Sequence, residues 1–295
     1  MNKKSYSGPY LWLALAAVAM PIVLAVRAFT SIPQPYTYPE IQKDESGVDQ
    51  RLWDHLIRHY AAAGRVDYDG FKRDRYFIEY IRQLAESDPS KLPDEDHKLA
   101  YYCNAYNALV IHGVIKHKID ASVNNWSAED GTGFFDVKEH ILAGKTVSLN
   151  YIEHDVIRPT FKEPRIHMAL VCAAVSCPEI RGEAYFGDRV REQLEDQAAQ
   201  FANNTKHVHY VPKEKKLYLS AILDWYGEDF GGRDGYLPFL LERADGDETK
   251  TGLNKAIAGE AEIAFNKYDW TLNTQSKVSG GPGPSDFGSG SVPNE

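Results

Sequence analysis

Residues Arg165–Arg181 read RIHMALVCAAVSCPEIR, and the reading of this stretch decides both the fold class and where chemistry is to be sought. Arg165–Cys172 is apolar on both alternating faces, with Ile166, Met168, Leu170 and Cys172 on one and Ala169 and Val171 beside His167 on the other. That is the pattern of a central strand. Ala173–Pro178 then reads as the loop at its end. Strand ends let a rigid scaffold hold side chains toward a cleft, and such loops carry a large share of site residues. An imidazole, two thiols and the Ser176 hydroxyl meet in this one segment.

Upstream, Val48–Ala63 places Leu52, Trp53, Leu56 and Ile57 at helical spacing, and a second helix covers Asp74–Glu86 and stops before Asp88-Pro89. Pro93-Asp94-Glu95-Asp96 is an acidic helix start for a longer helix to about Lys118. Phe134–Leu149 reads as a hairpin turning at Ala143-Gly144-Lys145, and Asn150–Arg158 as a short helix closed by Pro159. Downstream, Asp188–Asn203 is helical by pattern, His207–Val211 and Lys216–Leu219 form a second hairpin, Ala221–Phe230 and Leu237–Arg243 are short helices, and Ala261–Ala264 is a late strand. Strands mixed with runs of helices predict an α+β fold: a single mixed domain over 48–275, with a small sheet packed by several helices.

The N-terminus predicts one transmembrane helix before that domain. Lys3 and Lys4 precede Leu11–Val26, an almost unbroken apolar run that approaches the roughly 18 residues needed to cross a bilayer when Pro9 and Tyr10 are included. The leading lysines favour a cytoplasmic N-terminus with the domain outside the cytoplasm, as a single-pass membrane protein. The alternative is secretion after cleavage near Val26-Arg27-Ala28. Residues 1–30 are thus an anchor or signal segment, 31–47 a proline-bearing linker and 276–295 a Gly/Pro/Ser-rich disordered tail. The net charge of −9, with no long Lys/Arg cluster, argues against a nucleic-acid partner.

Five separated motifs resemble the domain-of-unknown-function family numbered 547: Asn104-Ala105-Tyr106-Asn107-Ala108-Leu109, Ile152-Glu153-His154 with Arg158-Pro159, the Arg165–Pro178 stretch, Trp225-Tyr226 with Asp229-Phe230, and Tyr268-Asp269-Trp270 with Leu272-Asn273. The resemblance runs from about Leu52 to Asn273 and implies no settled activity. Where members of that family often carry a Trp-Ile pair, this chain has Tyr102-Cys103, so Cys103 fills an apolar slot. The family's Cys-Ala-Ser run appears here as Cys172-Ala173-Ala174.

A cysteine nucleophile acts as a thiolate and needs a base, and the base needs an orienting partner. The candidates are Cys177 or Cys172 as nucleophile, His167 or His154 as base and Glu153 as orienter, in a thiol-dependent hydrolase or acyl transferase acting on a small-molecule or peptide substrate of amide-like chemistry. Asn104, Asn107, Ser176 and Arg158 are candidate substrate-binding residues; Asn104 and Asn107 stand three apart on one helix face. The competing readings are that the asparagines tie a loop to the helix, that Glu153 and Arg158 form a buried ion pair, that Trp225, Tyr226 and Trp270 pack the core, and that Cys172 and Cys177 form a disulfide. The pair His207 and His209 lacks the companions of a metal set, and the phosphate-cradling glycine motifs are absent, so no metal or cofactor is expected. The alternative function is a non-catalytic envelope domain that binds a partner through the same cleft.

Overall fold

Four aspartates set where the first helices of the described residues begin. Asp49 caps α1 (Gln50–Tyr60), Asp67 caps α2 (Tyr68–Arg73), Asp74 caps α3 (Arg75–Glu86) and Asp94 caps α4 (Glu95–Lys116), each carboxylate accepting a backbone N–H of the first turn. Such a cap contributes about 1 kcal/mol. The longest among the described residues, α4, is buried around most of its circumference, from Leu99 to Val114, as a helix through the centre of a core must be. The computed structural model describes residues 40–275, so the expected anchor at 1–30, the start of the linker and the tail at 276–295 lie outside the described residues. Among the described residues, no helix is long and apolar enough to cross a membrane.

Among the described residues, the strands are short and split among three sheets. β1 (Ala61–Ala62) pairs antiparallel with β2 (Arg65–Val66), and β3 (His140–Leu142) pairs antiparallel with β4 (Lys145–Val147). The second of these is the expected hairpin, turning at Ala143 and Gly144, which both take positive φ. β5 (Val208–Val211) and β6 (Lys216–Leu219) form the other expected hairpin, and β7 (Glu262–Phe265) joins β6 in parallel. The fold is therefore α+β. One apolar core surrounds α4; a second lies between the three-stranded sheet, α8 (Arg233–Arg243) and α9 (Asp247–Ile257). Helix α6 (Val190–Asn203) gives Val190 and Leu194 to the first core and Phe201 and Ala202 to the second.

Three local expectations are corrected. Arg165–Cys172 is not a strand: Pro164–Met168 forms a 3-10 turn, with the Glu163 side chain accepting from the Arg165 N–H. The segment is buried because it threads the core, and side-chain amides take the place of a neighbouring strand. Asn107 on α4 donates to the Ala169 carbonyl at 3.0 Å and accepts from the Val171 N–H at 3.0 Å. Gln197 on α6 donates to the Met168 carbonyl at 3.2 Å. A carboxamide offers the same donor and acceptor as a peptide group, so the backbone is satisfied without a sheet.

Pro159 does not close the helix expected at Asn150–Arg158. A π-helix, Tyr151–Ile157, passes directly into α5 (Arg158–Phe161), where Pro159 sits in the first turn and needs no N–H partner. The helix expected at Leu237–Arg243 starts earlier, at Arg233. The short helix α7 (Ile222–Trp225) and a 3-10 turn, Gly227–Phe230, share the Ala221–Phe230 stretch.

Candidate functional site

The π-helix aims the Glu153 carboxylate inward, where it is 6% exposed. Extra-wide turns of this kind recur at functional sites because they cost backbone regularity. Around Glu153 stand three tyrosines, Tyr106 from α4, Tyr226 after α7 and Tyr268 from the C-terminal segment. Burial, and then the charge of Glu153, push the hydroxyls of Tyr106 and Tyr226 upward; Tyr268 is raised by burial, then by Tyr226 and Glu153.

His167 enters the same cluster from the 3-10 turn. Its Nε2–H donates to Asp229 Oδ2 at 2.7 Å, and its Nδ1 faces Glu153 Oε1 at 3.9 Å. The carboxylate of Asp229 fixes the neutral tautomer, leaving Nδ1 as the lone-pair side. Tyr226 stacks on the imidazole at 4.1 Å. Burial lowers His167 below the ordinary imidazole value, and the Asp229 hydrogen bond and the Glu153 charge work against that.

Arg158 holds Asp229 from the other side with a two-pronged contact, Nε to Oδ2 at 2.7 Å and Nη2 to Oδ1 at 2.8 Å. This hydrogen bonding, ahead of that from His167, brings Asp229 down to about 2. The third prong, Nη1, donates to His154 Nδ1 at 2.7 Å. Arg158 thus orients a carboxylate and a histidine, and its ion pair is with Asp229 where Glu153 was the expected partner. A cavity of about 190 Å³ opens on Arg158 and Asp229 beside Lys162, Glu163, Pro164 and Ile166.

Cys172 and Cys177 are joined as a disulfide, the arrangement weighed as an alternative to a free nucleophile. Tyr268 reaches both sulfurs, with its hydroxyl 3.0 Å from Cys172 Sγ and 3.3 Å from Cys177 Sγ. The Cys172 N–H points at Cys177 Sγ at 3.0 Å. Cys177 is 2% exposed and Cys172 is half-buried. Among the described residues, no hydrogen bond joins either sulfur to His167 or His154. The imidazole reaches the sulfurs' neighbourhood only across the tyrosines. Cys103 is free and fully buried, and burial pushes its thiol up to about 12, in keeping with an apolar slot.

The other site candidates serve the backbone. Asn104 donates to the Tyr185 carbonyl at 2.8 Å and accepts from the Tyr185 N–H at 2.9 Å, as Asn107 does for Ala169 and Val171. Ser176 Oγ accepts from the Asp269 N–H at 2.9 Å. Asn107 and Ser176 hold the segment that carries the sulfurs, and Asn104 holds the chain at Tyr185. Trp225, expected in the core, is 47% exposed and stacks with Tyr268 and Trp270 at centroid distances of 4.8 and 6.0 Å, forming an aromatic ledge next to the sulfur pair. Asp229, Tyr106, Tyr226 and Tyr268 were not named as site residues from sequence. Their signal was present in the quoted motifs, which contain Tyr106, Tyr226, Asp229 and Tyr268. Among the described residues, no group of three or more His, Cys, Asp or Glu side chains could hold a metal ion.

Residues 89–202 match the model of a protein family described as "Protein of unknown function, DUF547". The match takes in the Asn104–Leu109 motif, the π-helix and the sulfur loop; the Trp225–Phe230 and Tyr268–Asn273 motifs lie beyond it. No curated protein and no solved structure matches the chain.

Proposed function

We propose that this chain, whose residues 89–202 match the model of the DUF547 family, performs thiol-dependent hydrolysis or acyl transfer on an amide-like substrate in its reduced form. Cys172 is the nucleophile, because it is the less buried of the two sulfurs. His167, oriented by Asp229, is the base; the lone pair on Nδ1 faces the cluster that also holds Glu153. The observation that carries this reading is the Tyr268 hydroxyl, which contacts the sulfur at 3.0 Å and is raised by burial and then by the charges of Tyr226 and Glu153. The sulfur, the oriented imidazole and the buried Glu153 carboxylate all border the Tyr226 and Tyr268 hydroxyls, through which the base acts on the sulfur.

The test is incubation of the reduced full-length chain with an activated ester such as p-nitrophenyl acetate, followed by peptide mass mapping. An acyl adduct on Cys172 that disappears in His167→Asn supports the reading. Absence of an adduct from the reduced, folded chain ends it.

A second reading is a non-catalytic envelope domain. It is favoured by the joined sulfurs and by the exposed Trp225 ledge, which would then be a partner surface. In either reading the domain sits outside the cytoplasm, tethered by Leu11–Val26 or released by cleavage. A disulfide supports that placement, because such bonds persist in oxidising compartments.

A further inference from the structure

We propose that the Cys172–Cys177 disulfide is exchange-active: an external dithiol reduces it by attack at Cys172 Sγ, and Cys177 leaves as the thiolate held by the Cys172 N–H and the Tyr268 hydroxyl. It rests on the thiol-dependent reading only for what the freed Cys172 does next.

Three features carry it. The two sulfurs differ in access, Cys172 being half-buried and Cys177 2% exposed, so an incoming thiolate meets Cys172 first. Two donors serve the other sulfur: the Cys172 N–H points at Cys177 Sγ at 3.0 Å, and the Tyr268 hydroxyl, 3.0 Å from Cys172 Sγ, lies within 3.3 Å of it. The Lys206 ammonium adds positive charge to the same loop, donating to the Cys177 carbonyl at 3.0 Å and the Val175 carbonyl at 3.3 Å. A leaving thiolate is favoured where such groups surround it.

The third feature is that the loop keeps its shape without the covalent bond. Val175 N–H donates to the Thr271 carbonyl at 2.8 Å, Asn273 N–H to the Ala173 carbonyl at 3.0 Å and Ser176 N–H to the Asp269 carbonyl at 3.2 Å, while Asn107 holds Val171. A cross-link between residues five apart also restricts the unfolded chain far less than a long-range one. As a structural staple the bond is nearly redundant.

In the exchange, one thiolate of the dithiol forms a bond to Cys172 Sγ, the Cys172–Cys177 bond breaks, and its electron pair goes to Cys177 Sγ. The dithiol's second thiol, deprotonated, then attacks its own mixed sulfur, closing the external disulfide and releasing Cys172. The dithiol loses two electrons and two protons; the protein pair gains both electrons and, on protonation, both protons. Tyr268 keeps its proton throughout.

The experiment treats the folded full-length chain with dithiothreitol, quenches with acid, and maps alkylated cysteines by mass. Cys172 and Cys177 are expected to become labelled together while Cys103, buried in the core, stays unlabelled and reports that the fold is intact. With 5,5′-dithiobis(2-nitrobenzoate) as probe, Cys177→Ser is expected to form its adduct on Cys172 at least tenfold faster than Cys172→Ser forms one on Cys177. Tyr268→Phe is expected to slow reduction several-fold and to move the alkylation pH profile of Cys177 upward by about one unit, a change that loose packing alone would not produce. Labelling of the pair only together with Cys103, or equal adduct rates on the two cysteines, overturns the proposal. Clean exchange without an acyl adduct leaves it standing and removes only the hydrolase reading.

Discussion

His167 Nε2 and Asp229 Oδ2 lie 2.7 Å apart, joining a buried 3-10 turn to a solvent-edge turn 62 residues later in the chain. Each partner is held by a third group, Asp229 by Arg158 and His167 by the stacked Tyr226 ring. The pair therefore couples the two halves of the candidate site.

Removing the charge from this pair has a defined cost. Asp229→Asn keeps the shape but leaves Arg158 without its carboxylate and His167 with a weaker acceptor. The expected loss is about 1.5–3 kcal/mol, the range for hydrogen bonds to charged groups, read from urea unfolding. Because Asp229 sits at about 2, below an ordinary carboxyl, its contribution is complete above pH 4 and is lost as pH falls through 2. A cycle with Arg158→Lys separates the two partners, since lysine cannot reproduce the two-pronged contact.

Asn107→Leu tests whether carboxamides truly replace a strand. The substitution leaves the Val171 N–H and the Ala169 carbonyl buried without partners. A destabilisation of about 2–4 kcal/mol is expected, from two orphaned backbone groups. Ser176→Ala, which removes one acceptor at an exposed backbone N–H, is expected to cost only about 0.5–1.5 kcal/mol. Equal losses in chemical denaturation would contradict the assignment.

Acid should weaken the fold through two buried histidines. Neither ring nitrogen of His140 or His207 has a hydrogen-bond partner, and burial lowers them to about 4 and about 3 from the ordinary 6.5. Below pH 6.5 the unfolded chain binds protons that the folded chain refuses, so stability is complete above that pH and falls as pH drops toward 4. The loss is on the order of a few kcal/mol. Thermal melts at pH 7.5 and 5 measure it, and His140→Leu is expected to flatten the slope.

Gly235→Ala tests how the turn bearing Asp229 is built. A Cβ at Gly235 would fall on the Phe230 carbonyl oxygen, a backbone atom with no freedom to move aside. The turn at Gly227–Phe230 must then shift, at a cost of about 1–3 kcal/mol. The observable consequence beyond a lower Tm is a perturbed His167 imidazole signal by NMR, since Asp229 moves with the turn.

Much of the frame was legible in local chemistry. The acidic start at Asp94 and the helical spacing of Leu52, Trp53, Leu56 and Ile57 are short-range signals, and both hairpins announced themselves by alternation around polar turns. The sulfur loop, Glu153, His167 and Arg158 are singled out by the sequence as candidates, because those residue types stand out within a few positions of one another. Trp225 was misread as core, since nothing within its own stretch records how much of the ring a neighbouring segment leaves uncovered. Asp229 and Tyr268 were overlooked as site residues because their partners are 62 and 96 positions away.

By itself the sequence determined the α+β class, the positions of both hairpins and of most helices, though not of α2 or α9, and which segment holds the thiols and imidazole, because capping, turn chemistry and periodicity act over a few residues. Only the tertiary structure decided that Arg165–Cys172 is threaded through the core as irregular chain. An apolar run reads alike whether its backbone bonds go to a strand or to Asn107 and Gln197. The sequence left open whether Cys172 and Cys177, five positions apart, are joined, and long-range packing set His167 against Asp229 and Tyr226, with no hydrogen bond to either sulfur. Which hydrogen-bond donor meets which acceptor is settled by the three-dimensional closure of distant segments, and no local pattern encodes it.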